Sequence, residues 1–318
     1  ATTTTPVAAG GGNEAVTVNV QGTITTAGVA VKIPVTATGS GTLPAYSTTI
    51  TIPASMTEDG NSRDLTLSWA AQAYTSGTTS INATIAAVGG TLNAKKLDIN
   101  AGIGNDALGV LMGQFTYPYN NAGNTTTYSV RDIAGIPDKM FGLPDNNSNS
   151  TTHMMLYLPT VAEDGNIWLN NNLGAHYANI KLPSFNLAKQ ATSATDYLAY
   201  GSLFQWGRKG DGHELITYTN ATTGTATGTT STNSDAPADA LFILGSSIPY
   251  DWRSSQSNTL WATEASANNP CPVGFRVPTN AELTTLVTAA SITNSASAAS
   301  SILKFTVPGY RRYNNGLL

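Results

Sequence analysis

The sequence holds a single cysteine, Cys271, only three histidines, and 11% charged residues, where a soluble protein ordinarily has about 25%. One cysteine excludes an internal disulfide and a zinc site built on paired cysteines. The histidines are spread too far apart for a spacing such as His-Glu-x-x-His. The 15 basic residues are scattered, and the net charge of −4 with a pI near 5.3 argues against nucleic acid, whose phosphates need clustered Lys and Arg. No apolar run approaches the roughly 20 residues that span a bilayer as a helix. Thr, Ser, Asn, Gly and Ala take the place of the missing charge. A surface polar through hydroxyls and amides is common in extracellular β-rich proteins, and the chain starts at Ala1 rather than Met, so it reads as an exported protein freed of its signal sequence.

Residues 1–12 have four consecutive threonines and Gly10-Gly11-Gly12 but few large apolar groups, which reads as an arm, either flexible or able to add as a strand to a neighbour's sheet. Residues 13–100 carry short alternating strands: Val16–Val20, Val29–Ile33, Thr49–Ile52, Leu65–Trp69 and Ile81–Ile85. Glycine-containing turns separate them at spacings that predict an Ig-like β-sandwich with Trp69 as core anchor. Residues 101–153 read as a connection, in which Leu108–Tyr119 forms a strand docking the two domains and Asn120–Tyr128 and Asp145–Thr152 are exposed loops. The expected fold class is mainly β, with an α+β second domain over residues 154–318.

In that domain Met154–Pro159 reads as a strand and Glu163–Leu169 as a glycine turn completing a hairpin. Asp196–Arg208 places Tyr197, Tyr200, Leu203 and Phe204 on one face ahead of Gly207, predicting an amphipathic helix. Thr219–Asn233 reads as a long surface excursion and Ser291–Ser301 as a low-complexity tract, with one more strand over Ile302–Arg311. Between them, Phe275-Arg276-Val277 alternates like a strand that Pro278 stops. Thr279 and Glu282 then form a capping box, with Leu283 and Leu286 as the buried stripe of the helix that follows.

Three segments together resemble the Fibrobacter succinogenes major paralogous domain, a bacterial surface module related to C-type lectins and formylglycine-generating enzymes: Asp164–Gly174, Ala199–Arg208 and Asn269–Thr279, with Pro308–Arg311 similar to a later family strand. The resemblance covers about residues 154–318 and implies a lectin-like fold. Family members continue past the Gly-Tyr-Arg strand into a glycine-rich segment and a closing strand that often carries a second cysteine. The domain is therefore expected to be C-terminally incomplete, with Cys271 lacking its partner. The enzymatic branch works through a cysteine pair, so oxidase activity is not implied.

Asp211, His213 and Glu214 have acid and base chemistry but no nearby nucleophile, and at a glycine-flanked turn they read as scaffold. His176 reads as a loop residue. Asn170, Asn171 and Asn172 offer carbonyl oxygens to a sugar or cation, or else cap loops. Trp252 and Trp261 are candidates for a sugar-stacking surface, whereas Trp168, Trp206, Cys271, Thr279 and Glu282 read as structural. Calcium is the one cofactor with candidate ligands, Asp98, Asn100 and Asp106, although the acidic residue that should close such a loop is missing. The function read from these features is an exported, non-enzymatic structural or adhesive surface protein, self-associating, with a filament assembled by strand addition as one form. The alternative is a lectin-like module that binds glycan or protein.

Overall fold

The computed structural model describes residues 2–6, 16–117, 126–143, 153–182, 185–245 and 248–318. The chain is mainly β and divides into two compact units, one of residues 19–104 and 108–134, the other of residues 2–18, 105–107 and 135–318. The first strand, β1 (Thr2–Pro6), pairs with β2 (Val16–Val20), so the threonine-rich segment has a strand partner within its own chain.

The first unit is built on an antiparallel four-stranded sheet of β4 (Val29–Pro34), β6 (Tyr46–Ile52), β7 (Arg63–Trp69) and β9 (Ser80–Val88), in the order β4-β9-β7-β6. Strict alternation makes one face apolar: Leu65, Leu67 and Trp69 from β7 and Ile81, Ala83 and Ile85 from β9 are buried. Smaller pairs flank the sheet: β3 (Thr23–Ile24) with β10 (Leu92–Asn93), and β5 (Gly41–Leu43) with β8 (Gln72–Tyr74). The short β11 (Leu97–Asp98) leads into a 3-10 turn at Ile99–Ala101.

A boundary near residue 100, as expected from the sequence, leaves out the hairpin of β12 (Val110–Tyr117) and β13 (Thr126–Asp132), which belongs to this unit. Of the expected strand Leu108–Tyr119, Val110–Tyr117 forms β12 of this hairpin, and residues 118 and 119 lie outside the described residues. Met112, Phe115, Tyr117 and Val130 enter the same core as Leu65 and Trp69. Gly113 makes the approach feasible, because a Cβ there would lie 2.9 Å from the Cδ1 atoms of both Ile50 and Ile52. Residues 126–128 of the expected loop are strand, while 118–125 and 145–152 lie outside the described residues.

The second unit has little continuous sheet. Its pairs are β14 (Ile136–Pro137) with β15 (Leu156–Tyr157), β16 (Pro159–Val161) with β17 (Ile167–Leu169), β18 (Ile216–Asn220) with β19 (Thr223–Ala226), and β20 (Thr229–Thr230) parallel to β21 (Phe242–Ile243). The 163–169 hairpin forms as read, whereas the threonine-rich 219–233 tract is largely strand, in keeping with the preference of β-branched residues for a pleated surface. Two helices follow, α1 (Asn280–Ala289) and α2 (Ser295–Ser300), the latter placing regular structure in the 291–301 tract. Thr279 and Glu282 cap α1 reciprocally, and Arg276 grips the Glu282 carboxylate at 2.6 and 2.9 Å. Leu286 is fully buried with Leu303 and Ala162 against Trp168, but Leu283 is exposed, so the stripe is narrower than expected.

Three elements expected from the sequence are absent. Asp196–Arg208 has only a 3-10 turn at Tyr197–Ala199, because the Asn172 amide donates to the carbonyls of Ala199 and Tyr200, which a helix would need, and Gly201 takes φ +79. Phe275–Val277 is no strand; its Phe275 carbonyl accepts from the Asn269 amide. Ile302–Arg311 runs irregularly, with Lys304 left-handed at φ 52. Side-chain amides, rather than a backbone ladder, thus tie much of this unit together.

Candidate functional site

The second unit has a buried polar network at its centre. Arg208 is 1% exposed and donates from Nε to Asp211 Oδ2 at 2.8 Å, and its other nitrogens donate to Gln205 Oε1 and to the carbonyls of Leu241 and Asp239. Asp211 Oδ1 in turn lies 2.7 Å from His213 Nδ1. Because the Gln205 backbone N–H donates to His213 Nε2 at 3.0 Å, that nitrogen is a bare acceptor and the ring proton sits on Nδ1, facing Asp211. Glu214 Oε2 accepts from the backbone N–H groups of Asp211 and Gly212.

His153, absent from the sequence candidates, completes the network. Its Nδ1 lies 3.5 Å from Asp138 and its Nε2 lies 3.0 Å from Glu214 Oε1. The latter contact is an ion pair by distance without the alignment of a hydrogen bond, since neither atom has a hydrogen-bond partner. Burial alone would strip the His153 proton, but the negative charge of the Asp138 and Glu214 carboxylates outweighs it and raises the imidazole to about 10. The reverse balance holds Glu214 far below the usual carboxylate range: burial opposes its charge, and His153 and His213 overcome it. Tyr157 donates to Asp138 Oδ2, and Arg311 donates from its guanidinium to the His213 carbonyl. Arg208 and protonated His153 are paired with Asp138, Asp211 and Glu214, while Arg311 is held by carbonyl and hydroxyl oxygens. Such pairing lets a low-dielectric interior hold these carboxylates charged.

Asp211, His213 and Glu214 form the one three-residue cluster of candidate metal ligands among the described residues, their donor atoms within 4.8 Å of one another. Several of these donors are already engaged within the protein. His213 Nδ1 must carry its proton, Asp211 Oδ2 holds Arg208, and Glu214 Oε2 holds two backbone N–H groups.

Beside this network opens a cleft of about 420 Å³. One wall is Ser202–Trp206, a second Pro249–Trp252 with Gln256, and Tyr310, Arg311 and Tyr313 close it over Phe242. The network fixes the first wall: Arg208 and both backbone groups of Ile243 hold the Gln205 side chain, and Trp252 Nε1 donates to the Trp206 carbonyl at 2.7 Å. The rings nonetheless face solvent: Trp206 is 62% exposed and Tyr310 69%, and Tyr250 stacks on Tyr313 with centroids 4.2 Å apart. Tyr250 takes φ 65, a conformation that a bulky side chain adopts only when its surroundings impose it.

Of the residues singled out from the sequence, Trp206 and Trp252 both line this cleft: Trp206, read as structural, is exposed, and Trp252, the candidate binder, is buried. Trp261 packs edge-on to Trp206 at 4.9 Å and donates to the Asn268 carbonyl, supporting the cleft from outside its lining. The amides of Asn170, Asn171 and Asn172 donate to the carbonyls of Leu187, Lys189 and Ala199, so these residues tie loops together. Asp98 accepts from the backbone N–H of Asn100 and caps the 3-10 turn, while Asp106 lies among residues of the second unit. Trp168 donates to Asp164, and Cys271 is a buried free thiol that burial pushes up to about 12, which makes it unreactive. No signal in the sequence joined His153 and Asp138 to the 208–214 segment, because the pairing is set only by the chain's path. No helix among the described residues is long and apolar enough to cross a membrane. Neither the family models, nor the curated proteins, nor the solved structures with which the chain was compared match it.

Proposed function

We propose that this chain is an exported bacterial cell-surface protein of structural or adhesive role, whose second unit, lectin-like in the sense of its sequence resemblance, recognises a ligand and performs no catalysis. The observation that carries the reading is the cleft, lined by exposed aromatic rings, whose Trp206 wall is held from behind by the Arg208–Gln205 and Trp252–Trp206 hydrogen bonds. Preorganised rings lose little freedom on binding, which is what a recognition surface needs. The titratable groups behind it are used on one another: Asp138, His153, Asp211, His213 and Glu214 are all buried. An Ig-like β-sandwich for the first unit and the low-charge, threonine-rich surface suit the same extracellular role.

Assembly by strand addition has weaker support. Of the two outer strands of the four-stranded sheet, β6 packs on β12, and β4 carries Lys32 and Pro34, residues that blunt an edge against pairing. The test of the adhesive reading is retention of protein-coated beads on a panel of cell and matrix surfaces. The whole chain should be retained, and a Trp206→Ala/Tyr313→Ala double variant should lose most of that retention. Equal retention of the two would refute recognition through the cleft. Ordered polymers of purified chain in electron micrographs, lost on deletion of residues 1–12, would return strand addition to the front.

A further inference from the structure

We infer that the cleft takes a neutral glycan, held by stacking on Trp206 and the Tyr250–Tyr313 pair and by hydrogen bonds from the rim; this deepens the adhesive reading and rests on it. The size is suitable, since about 420 Å³ lies within the roughly 300–1,000 Å³ of small-ligand sites and admits a short oligosaccharide segment rather than a folded partner.

Charge selects the ligand class. The guanidinium in the lining, Arg311, is 8% exposed and already donates to the carbonyls of Gly316, His213 and Thr227 and to the Thr227 hydroxyl, and it lies over the Phe242 ring at 4.1 Å. An anionic ligand would therefore find a cation already engaged and would meet the Asp251 carboxylate, which also lines the cleft. A cationic ligand would meet Arg311. An uncharged ligand meets neither cost.

Polarity separates the remaining candidates. Ser202, Gln256 and the tyrosines put hydroxyl and amide groups among the rings. A proline-rich peptide would offer its carbonyls to the donors among these groups but has no N–H or O–H for their acceptors, leaving those unsatisfied. A sugar presents C–H faces to rings and hydroxyls to polar neighbours, so it matches both kinds of lining at once. The rigid wall matters here as well, since weak individual contacts yield useful affinity only when the protein side is already in place.

The test is titration calorimetry and tryptophan fluorescence of the full chain. The probes are neutral hexasaccharides of glucose, mannose, galactose and xylose, a hexagalacturonate and a decaproline peptide. At least one neutral hexasaccharide should bind and quench fluorescence. Trp206→Ala and Tyr313→Ala should each weaken it roughly tenfold, whereas Tyr313→Phe, which keeps the ring, should stay within about threefold. Circular dichroism checks that each variant folds, and Trp206→Leu, which removes the ring but keeps apolar bulk, substitutes if Trp206→Ala does not. Binding of the galacturonate or decaproline alone, binding of none of the probes, or affinity unchanged in both alanine variants would overturn the inference. The two levels separate on the bead surfaces. Cleft-dependent retention that survives periodate oxidation but not protease treatment of the surface refutes the glycan and leaves the adhesive reading standing. Retention that never depended on the cleft refutes that reading itself.

Discussion

The buried His153 makes the second unit's stability depend on pH with a definite sign. Folding raises this imidazole from its ordinary 6.5 to about 10, so the folded state holds a proton that the unfolded chain releases. Its contribution is complete below about pH 6.5 and is lost as pH rises toward 10. Near neutrality the slope approaches 1.36 kcal/mol per pH unit, so between pH 7 and 8.5 unfolding should become easier by about 2 kcal/mol. That window stays below the titration of Cys271, whose own upward shift adds a similar loss above pH 9. Glu214 acts on the other side: its depressed carboxyl stabilises above the ordinary 4.5, and that stabilisation is lost as pH falls. Together the two groups place maximum stability between about pH 4.5 and 6.5. Urea unfolding followed by tryptophan fluorescence reads this, since Trp168, Trp206, Trp252 and Trp261 are in the second unit. Wild type should show the alkaline loss, and His153→Gln, which carries no titrating proton, should be flat between pH 7 and 8.5. Glu214→Gln, which leaves the imidazolium with Asp138 alone, should cost roughly 3–5 kcal/mol at pH 6, the range for breaking a buried pair. A wild-type free energy flat across the window, or a His153→Gln variant that keeps the slope, would refute the assignment of a buried imidazolium.

Two further outcomes concern single sites. Asp132, 6% exposed in the first unit, is pushed up to about 6 by burial against the opposing N–H groups of Ile133 and Gly22, so its charge is unfavourable at neutral pH. Asp132→Asn should stabilise that unit by up to about 3 kcal/mol at pH 7 and by well under about 1 kcal/mol near pH 4, as thermal unfolding at the two pH values would show. Thr279→Ala removes one half of the capping box while Arg276 keeps Glu282 in place, and should cost about 1 kcal/mol in urea unfolding; a cost near zero would mean that the ion pair alone holds the start of α1.

What the chain's own order determined is local. The alternation in 29–33, 49–52, 65–69 and 81–85 is enough to place β4, β6, β7 and β9, because a period of two leaves one way to bury Leu65, Leu67 and Trp69. The Thr279–Glu282 box and the 163–169 hairpin are likewise complete within a few residues. What tertiary structure decided is wherever a distant group competes for a local bond. The 196–208 segment has a helical pattern, but Asn172 captures its carbonyls from 27 and 28 residues away. The burial of Trp252 goes with a hydrogen bond from its indole to the Trp206 carbonyl, 46 residues away. The network at His153 joins residues from 138 to 214, and no spacing in the sequence encodes it. Hydrophobic periodicity reports which face a residue turns inward, but a polar side chain finds its partner only after the chain has been brought round, which is why the strands of the four-stranded sheet were legible and the cleft was not.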